Sequence, residues 1–409
     1  MDVATLHALL GPEGSRLLGL IPSYDDSTAL AVGARLRREG FADSLVAAAL
    51  TQARLRARGR RKFGAVAGRM FFTPEGLEQA TRPAVAALHA ARFASAGVSR
   101  VADLCCGIGG ELPRLAEVAD TVLGVDRDPL TAEVARANLA VLGVDPRVEV
   151  RCEDVTGLDL AGWSGAFIDP SRRGGPGGRR TFDPSAYSPP YDFVLELSGR
   201  VPASGAKLAP GIPHRVLPAE AEAEWVSDGG DVVECALWFG PLASGVRRRA
   251  TVLPAGATLT GDGAARGAVG PVRRYFYEPD GAVIRAGLVA EAADLVDGTL
   301  VDASIAYVTA DSLVATPFLT AYEVTDVLPF GLKRLRSLLR SRGVGRVTVK
   351  KRGSAVTPES LRQQLRLSGP EEATIVLTRV AGAQTVLLVT PHPPPHPRPT
   401  PRTPHPLSQ

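Results

Sequence analysis

The sequence predicts an α/β fold: a doubly wound parallel sheet closed by an antiparallel hairpin, preceded by a helical region and followed by an α+β domain. Three observations predict it. Strand-like and helix-like segments alternate from residue 98 to about 253, the pattern of a parallel sheet wrapped by helices. A glycine-rich turn, Gly107-Ile108-Gly109-Gly110, stands between an apolar run and a helix. The run Asp228-Gly229-Gly230-Asp231 separates two further apolar segments, which is a hairpin signal.

Composition sets the frame for these elements. A chain of 409 residues with 45% hydrophobic content has room for two or three domains with sizeable cores. No apolar run approaches membrane-spanning length, and the N-terminus lacks the basic and apolar segments of an export signal, so a cytoplasmic protein is expected. Four cysteines are too few for a disulfide framework, and the adjacent Cys105 and Cys106 have no metal-ligand spacing, so no metal site is expected.

In chain order, residues 1–92 read as a helical N-terminal region. From Asp43 an amphipathic helix carries Leu45, Ala49 and Ala53 on one face, and Thr73-Pro74 reads as an N-cap followed by a first helical residue. Residues 93–253 form the sheet domain, with strands ending at Asp103, Asp126, Cys152 and Ile168, helices at 111–119 and 129–142, and 190–199 read as a helix in preference to a strand. Residues 254–271, rich in Gly and Ala, read as a linker. A second domain, 272–390, includes a basic helix 332–340, a strand 344–349, a helix capped by Thr357, and strands 373–380 and 384–389. The Pro-rich residues 391–409 are expected to be a disordered tail.

The turn after Asp103 is the chemically informative segment. A dinucleotide fingerprint needs a third glycine three residues after the second, to seat a pyrophosphate on the helix N-terminus; here that position is Leu112. The carboxylate of Asp103, just ahead of the turn, would repel a pyrophosphate but suits a cation. Asp126, at the end of the next strand, is placed to accept both hydroxyls of a ribose.

Asp103-Leu104-Cys105-Cys106-Gly107-Ile108-Gly109-Gly110 resembles the first motif of class I S-adenosylmethionine-dependent methyltransferases, whose sheet is Rossmann-like. The resemblance implies S-adenosyl-L-methionine as cofactor. Asp103, Cys105, Gly107 and Gly109 would line its methionine end, Asp126 would hold the ribose, Arg127 would lie beside the adenine, and Asp154 would meet the adenine amino group. Cys105 departs from the pattern, where glycine is usual, and its side chain is expected to narrow the pocket. Phe71-Phe72-Thr73-Pro74-Glu75 resembles a segment that closes over the cofactor in cap-type guanosine methyltransferases; a hydrophobic staple is the competing reading.

The second motif, Asp169-Pro170-Ser171-Arg172-Arg173, ends an apolar strand at the carboxyl edge of the sheet, where such sheets bind ligands. Uracil-carbon methyltransferases carry a similar Asp-Pro-x-Arg but need a cysteine nucleophile soon afterwards, and none lies between Asp169 and Ser198. Transfer to a nitrogen is therefore expected, with Asp169, Pro170 and Arg172 as the candidate catalytic residues: Asp169 as hydrogen-bond acceptor or base, and Arg172 or Arg173 holding phosphate. The competing reading of 172–180 is a solvated loop. Lys207, in Ala206-Lys207-Leu208, reads equally as an acceptor-pocket residue or an exposed strand end.

The net charge of +4 conceals strong clustering. Arg54 to Lys62 holds six basic residues, and Lys333 to Arg352 holds nine with no acid, a pattern suited to a polyanion. Alternation in Val344–Arg352 puts Val347 and Val349 inward and Arg346, Thr348 and Lys350 outward. Arg346, Lys350, Lys351 and Arg352 are the candidate RNA-binding residues. The combination resembles bacterial, actinobacterial methyltransferase-like proteins with a THUMP-like C-terminal domain, which implies a methyltransferase acting on structured RNA, tRNA or rRNA. The alternatives are a non-catalytic RNA-binding protein on the same scaffold, or a small-molecule or protein methyltransferase.

Overall fold

The computed structural model describes residues 1–21, 24–144, 147–171 and 186–392. The chain forms two compact units, Met1–Ala223 with Glu234–Gly245, and Glu224–Val233 with Val246–Gln409. The Pro-rich tail from 393, and Arg172 with the rest of 172–185, lie outside the described residues.

The first unit opens on helices Val3–Leu10, Pro12–Gly19, Ala29–Arg38 and Asp43–Phe63. The last of these buries Leu45, Ala49, Ala53 and Leu55 along one stripe, as its periodicity requires, against Leu6, Leu9, Leu17 and Leu36. Thr73 caps the short helix Pro74–Gln79, its side chain accepting from the Gly76 amide at 2.9 Å. Phe71 and Phe72 are buried in this helical core.

The sheet of this unit comprises β1 (Arg100–Leu104), β2 (Thr121–Asp126), β3 (Val148–Cys152), β4 (Gly165–Ile168) and β5 (Ala203–Leu208), parallel and ordered β3-β2-β1-β4-β5. The strands β6 (Glu222–Asp228) and β7 (Asp231–Phe239) are joined through Gly229 and Gly230, whose φ values of +62° and +87° suit a tight turn. β7 runs antiparallel to β5. Chain order reverses at β1 and β4, so the crevice at their carboxyl ends is the topological switch point where ligands of open α/β sheets bind.

Between the strands, Pro129–Leu142 is a helix capped by Asp128, and 190–199 is helical, as Tyr191–Arg200. The helix expected over 111–119 is shorter, Leu112–Ala116, because Glu111 occupies the N-cap position and its side chain is buried.

In the second unit, β8 (Arg248–Leu253) pairs antiparallel with β9 (Ala257–Gly261). This strand lies inside the stretch read as linker; five residues flanked by glycines carry too few apolar side chains to signal one. A seven-stranded sheet follows: β10 (Tyr275–Pro279), β11 (Thr299–Asp302), β12 (Ile305–Ala310), β13 (Leu319–Pro329), β14 (Val344–Lys351), β15 (Glu371–Val380) and β16 (Ala383–Pro391), in the order β11-β12-β10-β13-β16-β15-β14. β14 and β15 are parallel, joined by the helix Pro358–Leu365. That helix and Leu332–Ser341 bury Leu361, Leu365, Leu335 and Leu339 against Val347, Ile375 and Leu388. No helix among the described residues is long and apolar enough to cross a membrane.

Candidate cofactor and acceptor site

Asp103, one residue before the end of β1, has no solvent exposure, and among the described residues neither of its carboxylate oxygens has a hydrogen-bond partner. Burial, with the nearby charges of Glu111 and Asp169, pushes its carboxyl well above the usual 3.8. The following turn takes Cys105, Gly107 and Gly109 into the left-handed region, with φ of +61°, +57° and +82°. This is the physical reason that glycine is usual where Cys105 stands: a Cβ is strained there. Beside Gly107 a Cβ would meet nothing within 4 Å, so its backbone borders open space.

Asp126, at the tip of β2, braces this turn. One carboxylate oxygen accepts from the Gly107 amide at 3.1 Å and the other from the Asp128 amide at 2.9 Å, each keeping further acceptor capacity. Burial raises its carboxyl pKa despite those two bonds. Arg127 and Asp154 are both exposed. Asp154, past the end of β3, accepts from the Thr156 amide at 2.9 Å and hydroxyl at 2.7 Å, and those bonds hold its carboxyl below the usual value.

The second motif follows β4. The Asp169 amide donates to the Leu104 carbonyl at 3.1 Å, which ties the end of β4 to the turn after β1. Its side chain accepts from Lys207 Nζ at 2.5 Å. Lys207 is not an exposed strand end: only 8% accessible, it also donates to the Gln79 carbonyl and the Thr81 hydroxyl, both at 3.1 Å. Burial works against its charge, but Asp169 and Glu234 outweigh burial and its pKa is raised.

Beneath the pair lies a charged core. His89 is fully buried, with Nδ1 3.1 Å from Glu111 and Nε2 2.6 Å from Glu234, and its ring lies 4.6 Å from Phe167 and 5.5 Å from Trp238, centroid to centroid. Burial opposes the imidazolium, yet the two glutamates together raise the His89 pKa well above 6.5. Glu111 is drawn below its usual value because His89 outweighs burial. Four acids, Asp103, Glu111, Asp169 and Glu234, thus surround two cations, leaving an excess of acidic groups.

Matches to known proteins agree with this geometry. A family model described as THUMP domain-like matches residues 319–391, and a model of a domain of unknown function matches 2–59. A Mycobacterium tuberculosis protein of strain H37Rv, described as an uncharacterized S-adenosylmethionine-dependent methyltransferase, is 37% identical over 324 residues, covering 78% of this chain and 87% of the relative. The chain belongs to this methyltransferase family. A crystal structure described as a methyltransferase from Porphyromonas gingivalis W83 has the same fold, with a TM-score of 0.69 at 19% identity over 90% of this chain and 98% of that one.

The methyltransferase uses S-adenosylmethionine, and its own residues fit that cofactor. The orphaned carboxylate of Asp103 can pair with an ammonium, the acidic excess suits a sulfonium, and open space borders Gly107 where the cofactor's methionine end would lie. The N-terminal helices support this turn. Asn138 accepts from the Phe71 amide at 2.7 Å and donates to the carbonyls of Phe71 and Ile108, at 3.1 and 3.0 Å. At Gly76 a Cβ would come within 2.4 Å of Ile108, so glycine permits the helix Pro74–Gln79 to pack against the turn.

Sequence reasoning missed His89, Glu111, Glu234 and Asn138. Glu234 is 145 positions from His89, and no local pattern joins them. A lone histidine and acids embedded in apolar runs were the available signal, since such groups are buried only when paired. On β14 of the methyltransferase, Arg346 and Lys351 are exposed, but Arg346 pairs with Glu372 and Lys350 with Glu278 at 2.5 Å. Arg352 donates to the Ala306 carbonyl and lies 4.6 Å from the Tyr307 ring centroid. Of the N-terminal basic cluster, Arg56 stacks 4.9 Å over Phe71, and Lys62 donates to the Leu77 carbonyl. Among the described residues no cluster of three His, Cys, Asp or Glu is placed to hold a metal.

Proposed function

We propose that this methyltransferase acts in the cytoplasm on a base nitrogen of structured RNA, a tRNA or rRNA. The carrying observation is the Asp169–Lys207 ion pair at the carboxyl edge of β4 and β5, within electrostatic reach of Asp103. Bound S-adenosylmethionine supplies an electrophilic methyl carbon. Asp103, Cys105, Gly107 and Gly109 line its methionine end, Asp126 takes the ribose, and Arg127 and Asp154 border the adenine. Asp169, with its position set by Lys207 and by the rigid Pro170, accepts a hydrogen bond from the acceptor N–H. As the N–C bond forms and the methyl's bond to sulfur breaks, leaving a neutral thioether, Asp169 would take the proton that the nitrogen releases. Arg172, outside the described residues, is assigned to phosphate.

The domain assignment goes with this reading: helical region 1–92, methyltransferase domain 93–253, linker 254–271, THUMP-like domain 272–390 and tail 391–409. Support for an RNA acceptor comes from the THUMP domain-like match and from the basic run beginning at Lys333.

Nucleoside mass spectrometry on RNA from cells with and without the protein tests the proposal. One methylated nucleoside should vanish in the deletion and return with the wild-type protein but not with Asp169→Ala. Identical nucleoside profiles in all strains would end the RNA assignment.

A further inference from the structure

Along the sequence, residues 332–366 form a single basic run of eleven Lys or Arg against one acid, Glu359. In space these cations have different surroundings; Arg342, for one, pairs with Asp326. Lys350 and Arg352 lie at the Glu278 side of β14, where an acid and two tyrosine rings occupy them: Lys350 is 5.3 Å from the Tyr322 centroid and Arg352 faces Tyr307. Three others, Arg346, Arg362 and Arg366, line a groove of about 370 Å³ between β14 and the helix Pro358–Leu365, together with Gly345, Val347 and Leu367.

Three arginines therefore line one groove from three positions: the strand, the helix and the helix C-cap. The Arg362 Nε donates to the Val347 carbonyl at 3.2 Å, which anchors that side chain over the strand. Its ion pair with Glu359 is long, 3.8 Å, and both side chains are largely exposed, as are those of Arg346 and Glu372. Exposed pairs of this kind contribute about 0–1 kcal/mol and exchange readily for a better anion. Arg366 has no side-chain ion pair among the described residues, while its carbonyl accepts from Arg340 at 2.9 Å. Its backbone sits at φ +49°, ψ +57°, a helix-ending conformation that glycine adopts without strain.

We propose that this groove binds phosphates of the RNA backbone through Arg346, Arg362 and Arg366, whose planar forks match phosphate oxygens. The groove is lined by neither Lys350 nor Arg352, and the proposal rests on the RNA reading above.

The test measures binding of the full chain to bulk tRNA by fluorescence anisotropy across a salt series. The double variant Arg362→Gln/Arg366→Gly should weaken binding about tenfold at 100 mM salt and lower the slope of log K against log salt by about 1–2, as expected for one or two lost phosphate contacts. Its melting temperature should not fall through position 366, since glycine relaxes the backbone there, and Arg366→Lys should keep most of the slope. Unchanged affinity and slope in the double variant, with wild-type binding intact, would overturn the groove alone. Absence of wild-type binding would overturn the RNA reading and the groove together. Competition by polyglutamate as effective as that by tRNA would overturn RNA as the occupant.

Discussion

Lys207 Nζ lies 2.5 Å from Asp169 Oδ2, a pairing that joins the carboxyl ends of β5 and β4 and, through Gln79 and Thr81, fastens the N-terminal region to the site. All three ammonium donors are used, so Lys207 is a positioning residue. Removing one member of a buried pair leaves the other uncompensated, at roughly 3–5 kcal/mol. Asp169 keeps 28% side-chain exposure, which places Lys207→Met near the lower end, about 3 kcal/mol. Urea unfolding of the two proteins measures this. A loss within about 0.5 kcal/mol would show that the pair does not hold these segments together.

Asp103 behaves in the opposite way. An ionised carboxylate with no donor and no solvent is costly, and its raised pKa means that the cost is absent below the ordinary value of 3.8 and grows as pH rises above it. Asp103→Asn should therefore raise the stability of the cofactor-free protein at pH 7 by about 1 kcal/mol and have little effect near pH 4. The same substitution removes the charge available to an ammonium and should weaken S-adenosylmethionine binding by about 10–100-fold, or 1.4–2.8 kcal/mol. Thermal unfolding and isothermal titration read the two effects separately. An unchanged cofactor affinity would remove Asp103 from the binding role.

Local signals made much of this protein legible. The acids ending β1 and β2, the glycines between them, the Thr73 and Thr357 caps and the Asp228–Asp231 turn each depend on neighbours within a few positions, which is the range over which a sequence pattern carries structure. The charged core under the site depends on topology. His89 meets Glu234 only because β7 returns beside β5, and Lys350 meets Glu278 across 72 positions. A charge run is visible in one dimension, but its neutralisation by distant acids is not.

Cys105 stands at φ +61°, where a side chain costs about 1–2 kcal/mol relative to glycine. Cys105→Gly relieves that strain but adds freedom to the unfolded chain, an offset of about 0.5–1 kcal/mol. The net expectation is a small stabilisation, about 0.5–1 kcal/mol, together with unchanged or tighter cofactor binding as the pocket widens. A variant that melts lower and binds more weakly would show that the Cys105 side chain is itself part of the cofactor contact.

His89 predicts a pH signature that the other groups of the site do not. Its folded pKa is raised above 6.5 by Glu234 and Glu111 against the effect of burial. The resulting stabilisation is fully present below pH 6.5 and is lost as pH climbs through the folded value. One proton sets the limiting slope, about 1.4 kcal/mol per pH unit. His89→Gln keeps a polar side chain between the glutamates but carries no titrating charge, so it should be less stable than wild type at pH 6 and lack this alkaline decline. Urea unfolding of both proteins at several pH values from 6 to 10 should give two curves that converge as pH rises. Parallel curves would mean that His89 is buried as a neutral ring and that the glutamates, not the histidine, carry the proton.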